Sequence, residues 1–329
     1  MKRQTNLLQQ IAGFENLLFA FYKAKRGKIL KNDVVAYERS LDENLSKLGN
    51  DLISDKAEVG NYHFFTIRDP KVRQICAAPF SERVMHHAIM NVCHERFERH
   101  LTGDTYATRK GKGTYAALDR ARTYIGKFKW YVKLDIRKYF DSIDHHVLKI
   151  QLYKLFNDNK LFDLLCRITD SYQTLPGKGL PIGNLTSQYF ANHYLSDADH
   201  FAREKLKLRG YIRYMDDILL FGSDKAELLS CTKMFMEFVE DRMKLQFKPI
   251  VHHQTSAGVP FLGYKLYPFT VKLNQRSKKR FKYKIKQYDD YLKSGRWSEE
   301  IYRRHVEPLV AFTQYAEARN FRKNVLTYQ

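Results

Sequence analysis

An α+β fold is predicted by three observations: long stretches with helical apolar periodicity, short aromatic and β-branched runs between them, and no fixed-period repeat. With 44% apolar residues over 329 positions, the chain can bury a core without a disulfide or metal staple. In chain order, Ser81 is placed as the start of a helix carrying Met85, Ile89 and Val92. Residues 109–115, RKGKGTY, read as a flexible basic turn, and residues 130–136, WYVKLDI, as a strand. Residues 176–183, PGKGLPIG, form a shaped loop, and residues 187–206 a long helix through Phe190, Tyr194 and Phe201. Residues 211–221, YIRYMDDILLF, predict a hairpin with its tip at the two acids.

Beyond the hairpin, Asp224 followed three residues later by Glu227 is a capping-box signal. It precedes a helix carrying Leu228, Cys231, Phe235, Phe238 and Met243. Phe261–Tyr264 and Lys265–Tyr267 read as a short strand pair before Pro268 turns the chain. Residues 272–286 then hold eight basic and no acidic residues, over an apolar stripe of Phe281, Ile285, Tyr288 and Leu292. That segment concentrates part of the chain's formal charge of +21, which predicts attraction to a polyanion such as nucleic acid, with an acidic membrane as a competitor; charge alone does not choose between them. No apolar run is long enough to cross a bilayer, and the first residues, MKRQTNLLQQ, lack a signal core, so a cytoplasmic address is expected. Cys76, Cys93, Cys166 and Cys231 are widely spaced and read as packing thiols. His145–His146, His252–His253 and Cys93–His94 lack partners for a zinc signature.

Three acids carry the chemistry. Asp135 ends a strand and Asp216–Asp217 interrupt a hairpin, so folding can unite them. An isolated Asp-Asp pair at a turn is usually an ordinary Asx turn, but here apolar strand residues flank the pair and a separate strand supplies a third acid. Three neighbouring anions repel, and two Mg2+ ions, with Mn2+ as substitute, would offset that cost and suit phosphoryl transfer.

At WYVKLDIRKYF (130–140), LPIGNLTSQ (180–188), YMDD (214–217) and FLGY (261–264), the sequence resembles the reverse transcriptases. Within them, the Ile-Gly-x-x-x-Ser-Gln form at 182–188 and the compact length resemble the enzymes of diversity-generating retroelements. The resemblance implies a right-hand polymerase fold with fingers at 1–94 and 144–185, palm at 95–143 and 186–268, and a small helical thumb at 269–329. It implies an RNA-directed DNA polymerase, with template RNA, cDNA primer and deoxynucleoside triphosphates as partners and a small basic accessory protein besides.

Carried over residue by residue, Asp135 and Asp216 match the principal metal ligands and Asp217 the third carboxylate. Asp141 and Asp144 are left to local hydrogen bonds and helix initiation. Lys71 and Arg73, with Arg68 behind them, would meet the triphosphate, and Phe140 would test the sugar by steric exclusion of a 2′-hydroxyl. Ile182, Gly183 and Gln188 would shape the templating site, and Arg83 lies in a segment similar to one near the template. Phe261, Leu262, Gly263 and Tyr264 resemble the primer grip, and Lys278, Lys279, Arg280 and Lys282 would hold backbone phosphates. Lys248 is left out of the site, because its match to the lysine that protonates pyrophosphate in relatives is insecure. The competing readings are a retron-like or defence-associated bacterial reverse transcriptase, and a catalytically silent RNA-binding scaffold.

Overall fold

The computed structural model describes residues 6–68 and 71–327, so Asp69 and Pro70 of the IRDPKVRQI segment and the first five residues of the basic N-terminal stretch lie outside it. Four helices open the chain: α1 (Leu7–Ala12), α2 (Phe14–Lys25), α3 (Asn32–Arg39) and α4 (Leu41–Ile53). They pack around α5 (Phe80–His100), whose Val84, Met85, Ala88 and Ile89 are completely buried. Pro79 precedes α5 and no side chain caps it, so the helix starts one residue before the Ser81 expected from capping chemistry. Between α4 and α5, β1 (His63–Ile67) and β2 (Arg73–Ala77) form an antiparallel ribbon with Ile67 opposite Arg73.

The central sheet has the order β4 (Gly210–Tyr214), β5 (Asp217–Gly222), β3 (Trp130–Asp135), β6 (Val251–Gln254), all antiparallel. Strands β3 and β5 are apolar on both faces because both are covered, whereas the edge strand β6 is largely exposed. Val132, Leu134, Ile218 and Leu220 pack with Phe235 and Val239 of α12 (Lys225–Met243). Tyr131, Ile212, Leu219 and Phe221 pack with Leu118 and Ala121 of α6 (Thr114–Lys127). The two-residue alternation thus divides one strand between two cores. Each such side chain contributes about 1.5–3 kcal/mol by leaving water. Asp224 caps α12 as expected, accepting from the Glu227 amide at 2.8 Å.

From β3 the chain passes through the single turn α7 (Tyr139–Ser142), then α8 (His145–Leu155) and α9 (Asn159–Asp170). Asp144 accepts from the His146 and Val147 amides and starts α8, the task expected of it. The helix expected over 187–206 is broken into α10 (Leu185–Tyr194), α11 (Ser196–His200) and a π-helical turn, Phe201–Lys205. The break falls at Leu195, beyond which Asp199 is turned into the core.

A three-stranded sheet follows: β7 (Val259–Phe261), β8 (Tyr264–Leu266) and β9 (Val271–Leu273). Here the expected strand pair is corrected, because FLGY is itself the turn. Leu262 (φ 45°) and Gly263 (φ 92°) form its tip, and the second turn comes only after Leu266. Three C-terminal helices follow, α13 (Gln275–Lys293), α14 (Glu299–Gln314) and α15 (Arg319–Thr327), and a side chain at Gly263 would strike Phe312 of α14 and Ser277 of α13, so the turn lies against those two. The predicted stripe on α13 buries Phe281 and Ile285 and half-buries Tyr288 and Leu292. The boundary expected at residue 94 falls inside α5, and that at 185 falls on the first residue of α10. Among the described residues no helix is long and apolar enough to cross a membrane.

Candidate active site

Strand register brings the acids together. Asp135, the last residue of β3, lies directly opposite Asp217, the first of β5, and Asp216 occupies the adjoining turn. The turn is tight: Tyr214 pairs with Asp217, leaving Met215 and Asp216 at the tip, with Met215 at φ 53°. A methionine in that left-handed region carries backbone strain, which surrounding contacts must hold in place. Arg213 supplies one of them, donating to the Met215 carbonyl at 3.2 Å.

Arg213 is the largest fully buried side chain in the described structure, and sequence analysis did not single it out. Its guanidinium forks onto Asp199, with Nε to Oδ1 at 2.7 Å and Nη2 to Oδ2 at 2.5 Å, both side chains being sealed from solvent. It also bonds the Asn192 side chain and carbonyl at 2.9 and 3.0 Å. Asp199 accepts further from the hydroxyls of Tyr211 at 2.6 Å and Thr105 at 3.1 Å. A fully hydrogen-bonded pair thus lies beneath the acidic turn. The available signal was an arginine inside an otherwise apolar strand.

Burial, the Asp217 charge and the Asp135 charge, in that order, hold the Asp216 carboxyl above its ordinary range. Asp135 and Asp217 each carry a lysine. The Lys248 ammonium lies 2.7 Å from Asp135 Oδ1, and that of Lys133 3.1 Å from Asp217 Oδ1. Backbone pairing explains Lys248: its amide donates to the Asp135 carbonyl at 2.8 Å, and the Arg137 amide donates to Gln246. The lysine set aside in the sequence therefore stands at the site. Among the described residues no three His, Cys or acidic side chains already converge as a metal cage. The donor set itself, three carboxylates at one sheet end with one strongly desolvated, fits hard divalent ions once Lys248 yields Asp135.

Beside Asp135 opens a cavity of about 560 Å³, lined by Arg137, Lys138, Lys178, Lys244 and Lys248, with Asp141 as its acid. Phe140 on α7 is half-buried and packs edge-on against Tyr139, and its carbonyl accepts from the Leu180 amide at 2.8 Å. This bond joins α7 to the 180–183 loop. That loop is joined in turn to β2, because the Ile182 carbonyl accepts from the Cys76 amide at 2.8 Å. Gly183, at φ 127°, presses on the same strand, and a Cβ there would lie 2.9 Å from the Cys76 carbonyl and from Ile75. Gln188 is exposed on α10, and Lys71 and Arg73 are exposed on and beside the β1–β2 ribbon.

Gly263 accepts from Ser277 Oγ at 2.8 Å and Tyr264 donates to the Phe312 carbonyl at 2.6 Å, fixing Phe261–Tyr264 to α13 and α14. Lys279, Arg280 and Lys282 are exposed on α13 and Lys278 is half-buried. The Lys278 and Lys282 ammoniums lean over the Phe321 ring, each 5.8 Å from its centre. Arg83 is engaged by Asp33. His145 bonds the Gly179 carbonyl at 2.7 Å and belongs to the loop's support.

Residues 67–266 match the family model described as reverse transcriptase (RNA-dependent DNA polymerase). The group II intron-encoded protein LtrA of Lactococcus lactis subsp. cremoris is 24% identical over 220 residues, 59% of this chain and 35% of that protein. The retron Ec73 reverse transcriptase of Escherichia coli is 28% identical over 177 residues, covering 47% and 54%. A putative COX1/OXI3 intron 1 protein of Saccharomyces cerevisiae is 22% identical over 215 residues, covering 62% and 26%. The chain thus spans only about a quarter to a half of these relatives. Among solved structures, a telomerase from Candida tropicalis superposes with TM-score 0.51 at 14% identity, over 81% of this chain and 56% of that one. That likeness extends the right-hand polymerase fold beyond the matched segment. With the family model covering well over half of its length, the chain belongs to the reverse transcriptase family.

Proposed function

We propose that the chain is the RNA-directed DNA polymerase of a diversity-generating retroelement, copying a template-repeat RNA into error-prone, adenine-mutagenised cDNA. The observation that carries the polymerase reading is the register that sets Asp135 across from Asp217, with Asp216 at the strained turn between β4 and β5. Asp135 and Asp216, assisted by Asp217, would hold Mg2+, or Mn2+ in its place. Such ions activate a primer hydroxyl and stabilise the transferring phosphate. Phe140 excludes a ribose 2′-hydroxyl, while Lys71 and Arg73 draw in the triphosphate. Phe261–Tyr264 seats the primer end, and the cations of α13 hold the duplex backbone. Fingers, palm and thumb keep the boundaries given above, in a cytoplasmic protein acting with a small basic accessory protein.

Support for the retroelement class lies in the Ile182-Gly183 form of the loop beside Phe140, where an aliphatic side chain offers the nucleotide no amide contacts. The retron resemblance favours a second reading, a compact retron-like enzyme whose cDNA carries no adenine bias.

Incorporation of deoxynucleotides on an RNA template, compared with Asp216→Asn, tests the polymerase. Wild-type extension lost in the variant supports it, and equal activity in both overturns the assignment of the acids. Sequencing cDNA made with and without the accessory protein tests the class: substitutions enriched opposite template adenines and reduced in Ile182→Gln support it, and an even spectrum favours the retron-like reading.

A further inference from the structure

The two lysines at the acidic cluster are not equivalent. Lys248 is paired with Asp135 and its side chain is 44% exposed. Lys133, 23% exposed, has two partners on separate sheets: it forms an ion pair with Asp217 Oδ1 at 3.1 Å and donates to the Pro260 carbonyl at 3.4 Å. Pro260 sits in the middle of β7, immediately before the Phe261–Tyr264 turn, and pairs with Lys265 of β8. Lys133 itself lies in β3 between Leu219 of β5 and Val251 of β6, so its backbone is fixed on both sides.

We propose that Lys133 is a positioning residue: its ammonium ties Asp217 to β7, so that the seat of the primer terminus and the catalytic acids are held as one body. The inference rests on the polymerase reading for its kinetic consequence, but not for its structural one. It also divides labour between the acids. Lys248, the more exposed of the two and with one carboxylate partner, would yield Asp135 to a bound cation, while Lys133 would stay on Asp217. Asp217 then serves chiefly as the anchor of the primer seat, leaving Asp135 and Asp216 to take the metal.

Amide hydrogen exchange on the full chain, without metal or nucleic acid, tests the tether directly. Lys133→Met is expected to speed exchange in residues 259–266 about fivefold, the loss of one partly exposed charged hydrogen bond, and to leave the β1–β2 ribbon unchanged. Asp217→Asn breaks the same link from the other side and should give the same local gain, whereas Lys133→Arg should restore protection. In primer extension on an RNA template, Lys133→Met should raise the primer–template KM about fivefold while the deoxynucleotide KM stays within about twofold. Unchanged exchange at 259–266 in both Lys133→Met and Asp217→Asn overturns the tether, as does a parallel rise of both KM values. If the wild-type chain extends no primer, the polymerase reading falls, and the exchange experiment still decides the tether.

Discussion

Replacing Arg213 by Met removes the guanidinium from beneath the Met215–Asp216 turn at similar side-chain length. Asp199 would be left sealed from water, with the Tyr211 and Thr105 hydroxyls as its remaining donors among those described above. Breaking a buried pair from one side costs about 3–5 kcal/mol, because the surviving charge is neither solvated nor paired. That is a large part of the 5–15 kcal/mol or so that typically separates folded from unfolded protein. Arg213→Met should therefore lower the urea midpoint sharply, and the double variant Arg213→Met/Asp199→Asn should recover about half of the loss, since the orphaned charge is gone. Arg213→Lys retains the charge but not the fork that reaches Asp199, Asn192 and the Met215 carbonyl together, so it should fall between wild type and Arg213→Met. Urea unfolding of these three variants and of Asp199→Asn, beside wild type, gives the cycle directly. A loss below about 1 kcal/mol for Arg213→Met, or a coupling near zero, would refute the claim that this pair holds the acidic turn.

Three further outcomes are expected. Gly183→Ala places a methyl against Cys76 and Ile75 at a φ that side chains rarely adopt, and should cost about 1–3 kcal/mol in a thermal melt while raising the deoxynucleotide KM; a neutral substitution would mean that the loop is free of β2. Phe140→Ala should raise ribonucleotide use about tenfold or more relative to deoxynucleotide, measured as the ratio of kcat/KM values, and an unchanged ratio would remove the ring from the sugar-sensing role. Burial, then the neighbouring His100, presses the pKa of His193 down to about 3, and burial with Lys23 and Lys28 presses that of His87 down to about 4. Both therefore bind protons more readily unfolded than folded. Their stabilisation is complete above the ordinary histidine range and drains away below pH of about 6.5, at up to about 1.4 kcal/mol per pH unit for the fully buried His193 and by less for the partly exposed His87. Urea midpoints of wild type and His193→Gln between pH 7 and 4.5 check the sign: the variant should show the shallower decline.

Much of this architecture is legible in local pattern. The YIRYMDDILLF hairpin has alternating apolar faces around a polar tip, and the capping box at Asp224 and the stripe on α13 obey short-range rules that tertiary contacts did not overrule. The helix over 187–206 illustrates the opposite case. Its apolar period continues across Leu195, yet the segment also supplies both Asn192 and Asp199 to one guanidinium, and the chain breaks between them. The ribbon β1–β2 escaped notice because its burial is slight and its strands show no inward face. The lysines on Asp135 and Asp217 were hidden for another reason. Lys248 follows Asp135 by 113 positions, and Lys133 reaches Asp217 only through the β3–β5 register, which no local pattern encodes.

The bond from the Cys76 amide to the Ile182 carbonyl, with Gly183 pressed on the same strand, has a consequence for grafting between relatives. A chimera that imports the 180–183 stretch alone would set foreign backbone against a native ribbon, and the mismatch would be transmitted to Arg73, three residues upstream of Cys76. Exchanged together, residues 73–77 and 180–183 carry their own fit with them, and changes in copying accuracy could then be credited to side chains instead of to a distorted seam.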